Sequence, residues 1–169
     1  METSDTFTET VNTFTEDNTY VTDKINDNKD LERVANALCA YADTQPLSKL
    51  VSRTKVLKSI KEMFIVYGCI RFIRSIKDDS LLGAFAYAIG SDWWTEGDVM
   101  AEVFVVTVNP RCYGIGRIAG KHMIKIAHQN NVKLIQSGSL LAGNHKLINN
   151  LYVKKLNFDK QFCCYYKTF

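Results

Sequence analysis

The sequence has no Cys-x-x-Cys pair, no run of lysine and arginine, no internal repeat and no long hydrophobic stretch. Each absence excludes something. The five cysteines, Cys39, Cys69, Cys112, Cys163 and Cys164, are an odd set. Cys163 and Cys164 are adjacent and on a strand would point to opposite faces, so reduced, mostly buried thiols are expected. His122, His128 and His145 stand at no spacing from cysteine or carboxylate that suits zinc, and no metal is expected. No run approaches the roughly 18–20 apolar residues that span a bilayer, so no membrane partner is expected. The N-terminus carries neither the basic nor the apolar region of a secretory signal. Residence in the cytoplasm, or in a particle assembled there, is the expectation. Basic residues are scattered singly, so nucleic acid is not an expected partner.

What is present suits one globular domain. The chain has 169 residues, 46% of them hydrophobic and 11% aromatic, enough for one sizeable core and too few for two ordinary domains. Its net charge of +3 hides an asymmetry. Residues 1–30 form an acidic, Thr-rich arm with eight acids against Lys24 and Lys29, a balance of −6, which leaves +9 on the body at 31–169. Such a body attracts nucleic acid or, equally, the phosphates of a nucleotide cofactor. The arm has few apolar residues and cannot bury much surface alone. It is expected to lie against its own body or a neighbouring copy, which leaves a homo-oligomer or larger assembly open.

Two helices should follow the arm. Asp30 can cap the first, in which Leu31, Val34, Ala35, Leu38 and Tyr41 recur at helical spacing. Pro46 breaks it, and the second begins near Leu47. The period then changes. Met63–Ile76 reads as a strand, Lys77–Ser80 as a turn and Leu81–Ile89 as a second strand. A loop at Gly90–Gly97 carries Trp93 and Trp94 beside Asp92 and Glu96. These either embrace a cationic amine or pack the hairpin tip onto the arm or another subunit. Asp98–Val108 is a third strand and completes an antiparallel meander. An amphipathic helix after Gly114 buries Ile115, Ile118, Ala119, Met123, Ile126 and Ala127 and stops at Asn130-Asn131. Val132–Ser137 reads as a strand parallel to the third. Asn144 caps another helix through Lys155, and Gln161–Phe169 closes the chain as an aromatic strand.

The chemistry sits where the meander ends. Asn109-Pro110-Arg111-Cys112-Tyr113-Gly114-Ile115-Gly116 leads a strand through a glycine-bearing turn into a helix. First-turn amides have no partners inside a helix, and they present the positive end of its dipole. Glycine lets the backbone approach a phosphate, and Arg111 adds charge. The turn is therefore an anion site, or an ordinary tight turn whose glycines serve geometry.

On these residues the chain resembles the GCN5-related N-acetyltransferase (GNAT) superfamily, whose cofactor motif reads Gln/Arg-x-x-Gly-x-Gly/Ala between a strand and a helix. Arg111, Gly114 and Gly116 match it without a gap, and Ala101–Pro110 looks like the preceding strand. The resemblance implies an α/β fold of the acyl-CoA N-acyltransferase type, an antiparallel meander followed by a splayed parallel strand pair. It implies acetyl-coenzyme A as co-substrate, with the amides of Cys112, Tyr113, Gly114, Ile115, Gly116 and Arg117 on its pyrophosphate. Strand residues including Val106 and Val108 would lie along the pantetheine arm, and Asn144 would touch pantetheine or pyrophosphate. Glu102 would be the general base toward an amine, and Tyr152 the general acid toward the thiolate.

Two departures stand out. The stretch between Pro110 and Arg111 is shorter than is usual in the superfamily. At the C-terminal helix, counting back from Phe158, Val153 falls where the superfamily has its acid tyrosine, and Tyr152 comes one residue early. One helical step is about 100° of rotation, so Tyr152 faces the thiolate only if the helix end is offset by a residue. Two functions follow: an N-acetyltransferase acting by direct transfer on an amine of a small molecule or protein, or a structural or interaction protein that keeps the fold without the reaction.

Overall fold

A computed structural model describes residues 12–45, 48–91, 93, 96–137 and 149–159. The elements are β1 (Asn12–Thr13), β2 (Thr19–Thr22), α1 (Lys29–Asp43), α2 (Arg53–Ile65), β3 (Ile70–Ser75), β4 (Leu81–Ser91), β5 (Asp98–Thr107), β6 (Cys112–Tyr113), α3 (Ile115–Gln129) and β7 (Leu134–Gln136). A π-helical turn, Asn150–Lys155, follows. Five strands form a mixed sheet in the order β2-β3-β4-β5-β7, antiparallel except for the last pair. Asn144 and the Gln161–Phe169 strand fall outside the described residues.

Strand β4 is buried from Leu81 through Tyr87 without alternation because both faces of the sheet are covered. Helices α1 and α2 press Leu31, Val34, Ala35 and Ile60 onto Ile70, Phe72, Ala84, Ala86, Phe104 and Val106. On the other face α3 sets Ile115, Ile118, Ala119 and Met123 against Ile73, Leu82, Phe85, Tyr87 and Met100. The α3 crossover is what makes β7 run parallel to β5. Among the described residues no helix is long and apolar enough to cross a membrane.

Several boundaries differ from the sequence expectation. Asp30 does not cap α1; the helix starts at Lys29 after Asn28, and Asp30 turns inward. There it is buried and pairs with the buried Arg74 guanidinium of β3, while the Asn26 amide also donates to it. A charge this deep needs its partner. The second helix starts at Arg53, where the Ser52 hydroxyl accepts from the Lys55 amide. It runs on to Ile65, so the expected strand from Met63 begins only at Ile70. Met63 and Phe64 are apolar because they pack on the α1–α2 core, not because they alternate. Residues Thr19–Thr22, within the acidic N-terminal segment, are the edge strand of the sheet, and Tyr20 donates to Asp79 in the β3–β4 turn.

Candidate functional site

The site is built from one irregularity in β5. Pairing with β4 runs from Asp98 opposite Ser91 to Glu102 opposite Tyr87, then skips to Phe104 opposite Ala86. Val103 is the extra residue of a β-bulge and is 47% exposed. The bulge breaks the alternation. Met100 and Val105 pack on the α3 face, whereas Phe104 and Val106 pack on the α1 face. Glu102, directly across from Tyr87, therefore shares the α3 side. Plain alternation would have grouped it with Phe104.

Past Ala101 the two parallel strands part. Strand β7 pairs with β5 only at Val99, Met100 and Ala101. The stretch of β5 beyond keeps its bonds to β4 and lacks a strand partner on the β7 side among the described residues. Val106 is buried toward α1, and Val108 donates its amide to Leu82 O at 2.9 Å. Glu102 sits where the splay opens.

Two hydroxyls reach Glu102 there. Ser137, one residue beyond β7, and Tyr152, on the π-helical turn, both donate to Glu102 Oε2. Tyr152 is 9% exposed, and its ring meets Phe158 edge-on at 5.3 Å. Burial, then the Glu102 charge and its hydrogen bond, push the Tyr152 phenol well above the usual tyrosine range. It is a protonated donor at neutral pH.

The π-turn explains how Tyr152 gets there. Counted along an α-helix, Tyr152 is one residue too early relative to Phe158. A π-turn closes i→i+5 rather than i→i+4 and so takes up one extra residue. Here Asn150–Lys155 is π-helical, and the Phe158 amide returns to the Tyr152 carbonyl at 2.9 Å. Tyr152 keeps the inward place, and Val153 is half-buried beside it.

At the other end of β5 the chain turns tightly: Asn109 accepts from the Arg111 amide at 3.0 Å through its side chain and from the Cys112 amide at 2.9 Å through its carbonyl. Gly114 is the N-cap of α3 with φ +97°, and no side chain caps the helix. The first-turn amides of Ile115, Gly116 and Arg117 thus lack an intrahelical partner, and no N-cap side chain meets them. Arg111, Tyr113 and Arg117 are exposed around them, while Cys112 is buried and its thiol pushed up by burial. A thiol in that state is a poor nucleophile.

Both motif glycines also have packing reasons. A Cβ on Gly114 would overlap the Phe14 carbonyl, because the N-terminal segment lies on this loop: β1 pairs in parallel with β6, and the Phe14 amide donates to Tyr113 O at 2.9 Å. A Cβ on Gly116 would come within 2.9 Å of Leu151 on the π-turn. Glu16 pairs with Lys121 on α3, and that bond holds its carboxyl below the usual range, with His122 and Arg117 adding to the effect. Ser137, Phe14 and the Glu16–Lys121 pair were not singled out from sequence; contacts across 35 to 105 residues leave no local signal.

Elsewhere, His122 and His128 lie on α3, and burial lowers His122. Trp93 is 94% exposed, and Asp92, Trp94 and Thr95 beside it lie outside the described residues.

No protein-family model matches the chain, and no curated protein sequence does. Solved structures do. A possible acetyltransferase from Clostridium difficile 630 superposes with a TM-score of 0.64 at 14% identity, over 89% of this chain and 97% of that one. The structure of AAC(6')-Iy in complex with the bisubstrate analog CoA-S-monomethyl-acetylneamine gives 0.60 at 12% identity, over 89% and 97%. A ribosomal-protein-alanine N-acetyltransferase from Brucella melitensis gives 0.56 at 11% identity, over 89% and 99%. The fold is that of the GNAT acetyltransferases.

Proposed function

We propose that this chain is an N-acetyltransferase that moves the acetyl group of acetyl-coenzyme A directly to an amine of a small molecule or protein. The observation that carries the reading is the meeting of Glu102 and Tyr152 at the mouth of the β5–β7 splay. A carboxylate and a protonated phenol are the base and acid that amide formation from a thioester requires. The fold likeness to acetyltransferases, one of them bound to a coenzyme A bisubstrate analog, supports the same reading.

In this scheme Glu102 takes a proton from the acceptor ammonium, and the freed amine attacks the thioester carbon. Tyr152 gives its phenolic proton to the departing thiolate. The amides at Ile115–Arg117, with Cys112, Tyr113 and Gly114 forming the turn and Arg111 beside it, take the pyrophosphate. The open side of β5 beyond Ala101, along the stretch that carries Val106 and Val108, takes the pantetheine, although the Val108 amide itself is engaged by Leu82 of β4; Asn144 is a further contact to pantetheine or pyrophosphate. We assign the activity to the cytoplasm.

The test is calorimetric titration of acetyl-coenzyme A into the wild type and an Arg111→Glu variant, which reverses an exposed charge at the turn. Gly114→Glu would be the wrong probe, since its side chain would dislodge Phe14. Micromolar binding lost in Arg111→Glu supports the site, and acetylation in a screen of amines completes the case. Absence of binding to the folded wild type rules the enzyme out.

A second reading has one observation in its favour. The acidic N-terminal segment already lies on the anion turn, and Glu102 is already hydrogen-bonded by Ser137 and Tyr152. A non-catalytic protein that keeps the fold for assembly would be closed in this way.

A further inference from the structure

We infer that Ser137, Glu102 and Tyr152 act as one proton-sharing unit, in which Ser137 is the positioning residue for the Glu102 carboxylate. The inference rests on the acetyltransferase reading above. Both hydroxyls donate to the same oxygen, Oε2, and no described residue donates to Oε1. One oxygen is anchored and the other is left for the acceptor. The three groups come from three elements: β5, the end of β7 and the π-turn. The unit thus bridges the opening between the parallel strands. Tyr152 is itself held, through its ring against Phe158 and its carbonyl to the Phe158 amide.

A base and an acid joined by a hydrogen bond can regenerate each other. The acceptor ammonium loses two protons per turnover, and the coenzyme sulfur gains one. Glu102 takes the first at Oε1, the C–N bond forms, the C–S bond breaks, and Tyr152 protonates the sulfur. Collapse to the amide releases the second amine proton to water. A protonated Glu102 then stands beside the Tyr152 phenolate. The terminal torsion of a glutamate is broad and two-fold, so a half-turn of the carboxyl brings its proton to the phenolate. Ser137 regains an identical bond with whichever oxygen arrives. The net yield is one amide, one thiol and one proton, and both groups return to their starting states.

No described charged group bonds to Glu102. Tyr87 stands directly across from it on β4 and accepts from Arg71 at 2.9 Å, and the exposed Lys154 and Lys155 share the π-turn with Tyr152. Two neutral hydroxyls therefore hold one oxygen of the carboxylate.

The closing experiment has an arm that needs no turnover and an arm that does. In protein labelled with [13Cζ]tyrosine at neutral pH, the Tyr152 resonance is identified by its loss in Tyr152→Phe. It should move in both Glu102→Gln and Ser137→Ala. In steady-state assays Ser137→Ala should lower kcat about tenfold, the effect of one hydrogen bond to a charged group. KM for acetyl-coenzyme A should stay within about twofold. Ser137→Thr should restore kcat. A Tyr152 resonance unmoved in both variants overturns the unit whatever the activity. An unchanged kcat in Ser137→Ala, or one that Ser137→Thr does not restore, overturns the positioning role. Moved resonances in a protein that acetylates no amine overturn the acetyltransferase reading and, with it, the proton return, while the hydrogen-bonded cluster stands.

Discussion

The backbone carbonyl of Phe14 lies against the α-carbon of Gly114, so the turn at the head of α3 is covered on one flank by the chain's own N-terminal segment. Gly114 also has φ +97°, a left-handed conformation that side chains other than glycine resist. Gly114→Ala therefore meets two penalties and should cost about 1–3 kcal/mol. Urea unfolding would measure it. A variant as stable as the wild type would mean that the segment does not sit on the turn.

Asp30 and Arg74 are both buried and bonded to each other. Burial pushes the Asp30 carboxyl up, but the Asn26 amide and the Arg74 guanidinium outweigh it and hold the group below its usual range. The folded pKa is thus lower than the unfolded one. The stability this gives is present above the ordinary aspartate range, near pH 4, and is lost as pH falls through the folded value. Asp30→Ala leaves the buried Arg74 guanidinium without its carboxylate, with only the Asp79 carbonyl to receive it among the described residues, and should cost about 3–5 kcal/mol. Chemical denaturation at pH 7 and at a series of pH values below about 4 should show the difference between wild type and variant shrinking as the pH falls.

Glu16 and Lys121 form an exposed pair, and removing it should change stability by less than about 0.5 kcal/mol. The electrostatic effect is larger than the structural one. Glu16→Gln leaves Lys121 and the nearby Arg117 uncompensated at the start of α3, so acetyl-coenzyme A should bind several-fold more tightly at low salt. The gain should shrink as ionic strength rises. Calorimetry at two salt concentrations distinguishes this from a change in folding.

Tyr152 stays protonated through the neutral range because burial and Glu102 raise its ionisation. The pH–rate profile should therefore show no descending limb from this residue below about pH 10, the ordinary tyrosine value. Tyr152→Phe keeps the ring against Phe158 and removes the proton. It should leave acetyl-coenzyme A affinity within about twofold and lower kcat on the order of 10²-fold, as expected for a lost general acid. Stopped assays beside calorimetry would separate the two effects.

Much of this architecture was legible in the sequence because its signals are local. The switch from helical spacing to β-branched runs marked the meander, Asn130-Asn131 marked the end of α3, and the strand–glycine–helix junction marked the turn at the head of α3. What escaped notice depends on distant partners. The end of α2 read as strand because Phe64 is apolar for tertiary reasons. Asp30 read as a cap because nothing nearby reveals Arg74, 44 residues on. At the candidate site, Glu102 was picked out through resemblance, while the bulge at Val103, which moves Phe104 off the Glu102 face, has no signature in its own residues. Ser137 follows a short strand in an unremarkable stretch, and only the parallel pairing brings it to Glu102.

The π-helical turn at Asn150–Lys155 has a further meaning for this segment. What the wide turn fixes there is the position of a hydroxyl group, that of Tyr152 at Glu102. A helix that widens by one residue acts as a local length compensator, so an insertion is absorbed within a single turn and nothing on either side has to move. The converse also holds. Deleting Val153 should let the turn relax to ordinary α-helical pitch with Tyr152 still at Glu102, whereas a second inserted residue would exceed what one wide turn can take up and swing the hydroxyl out of the splay.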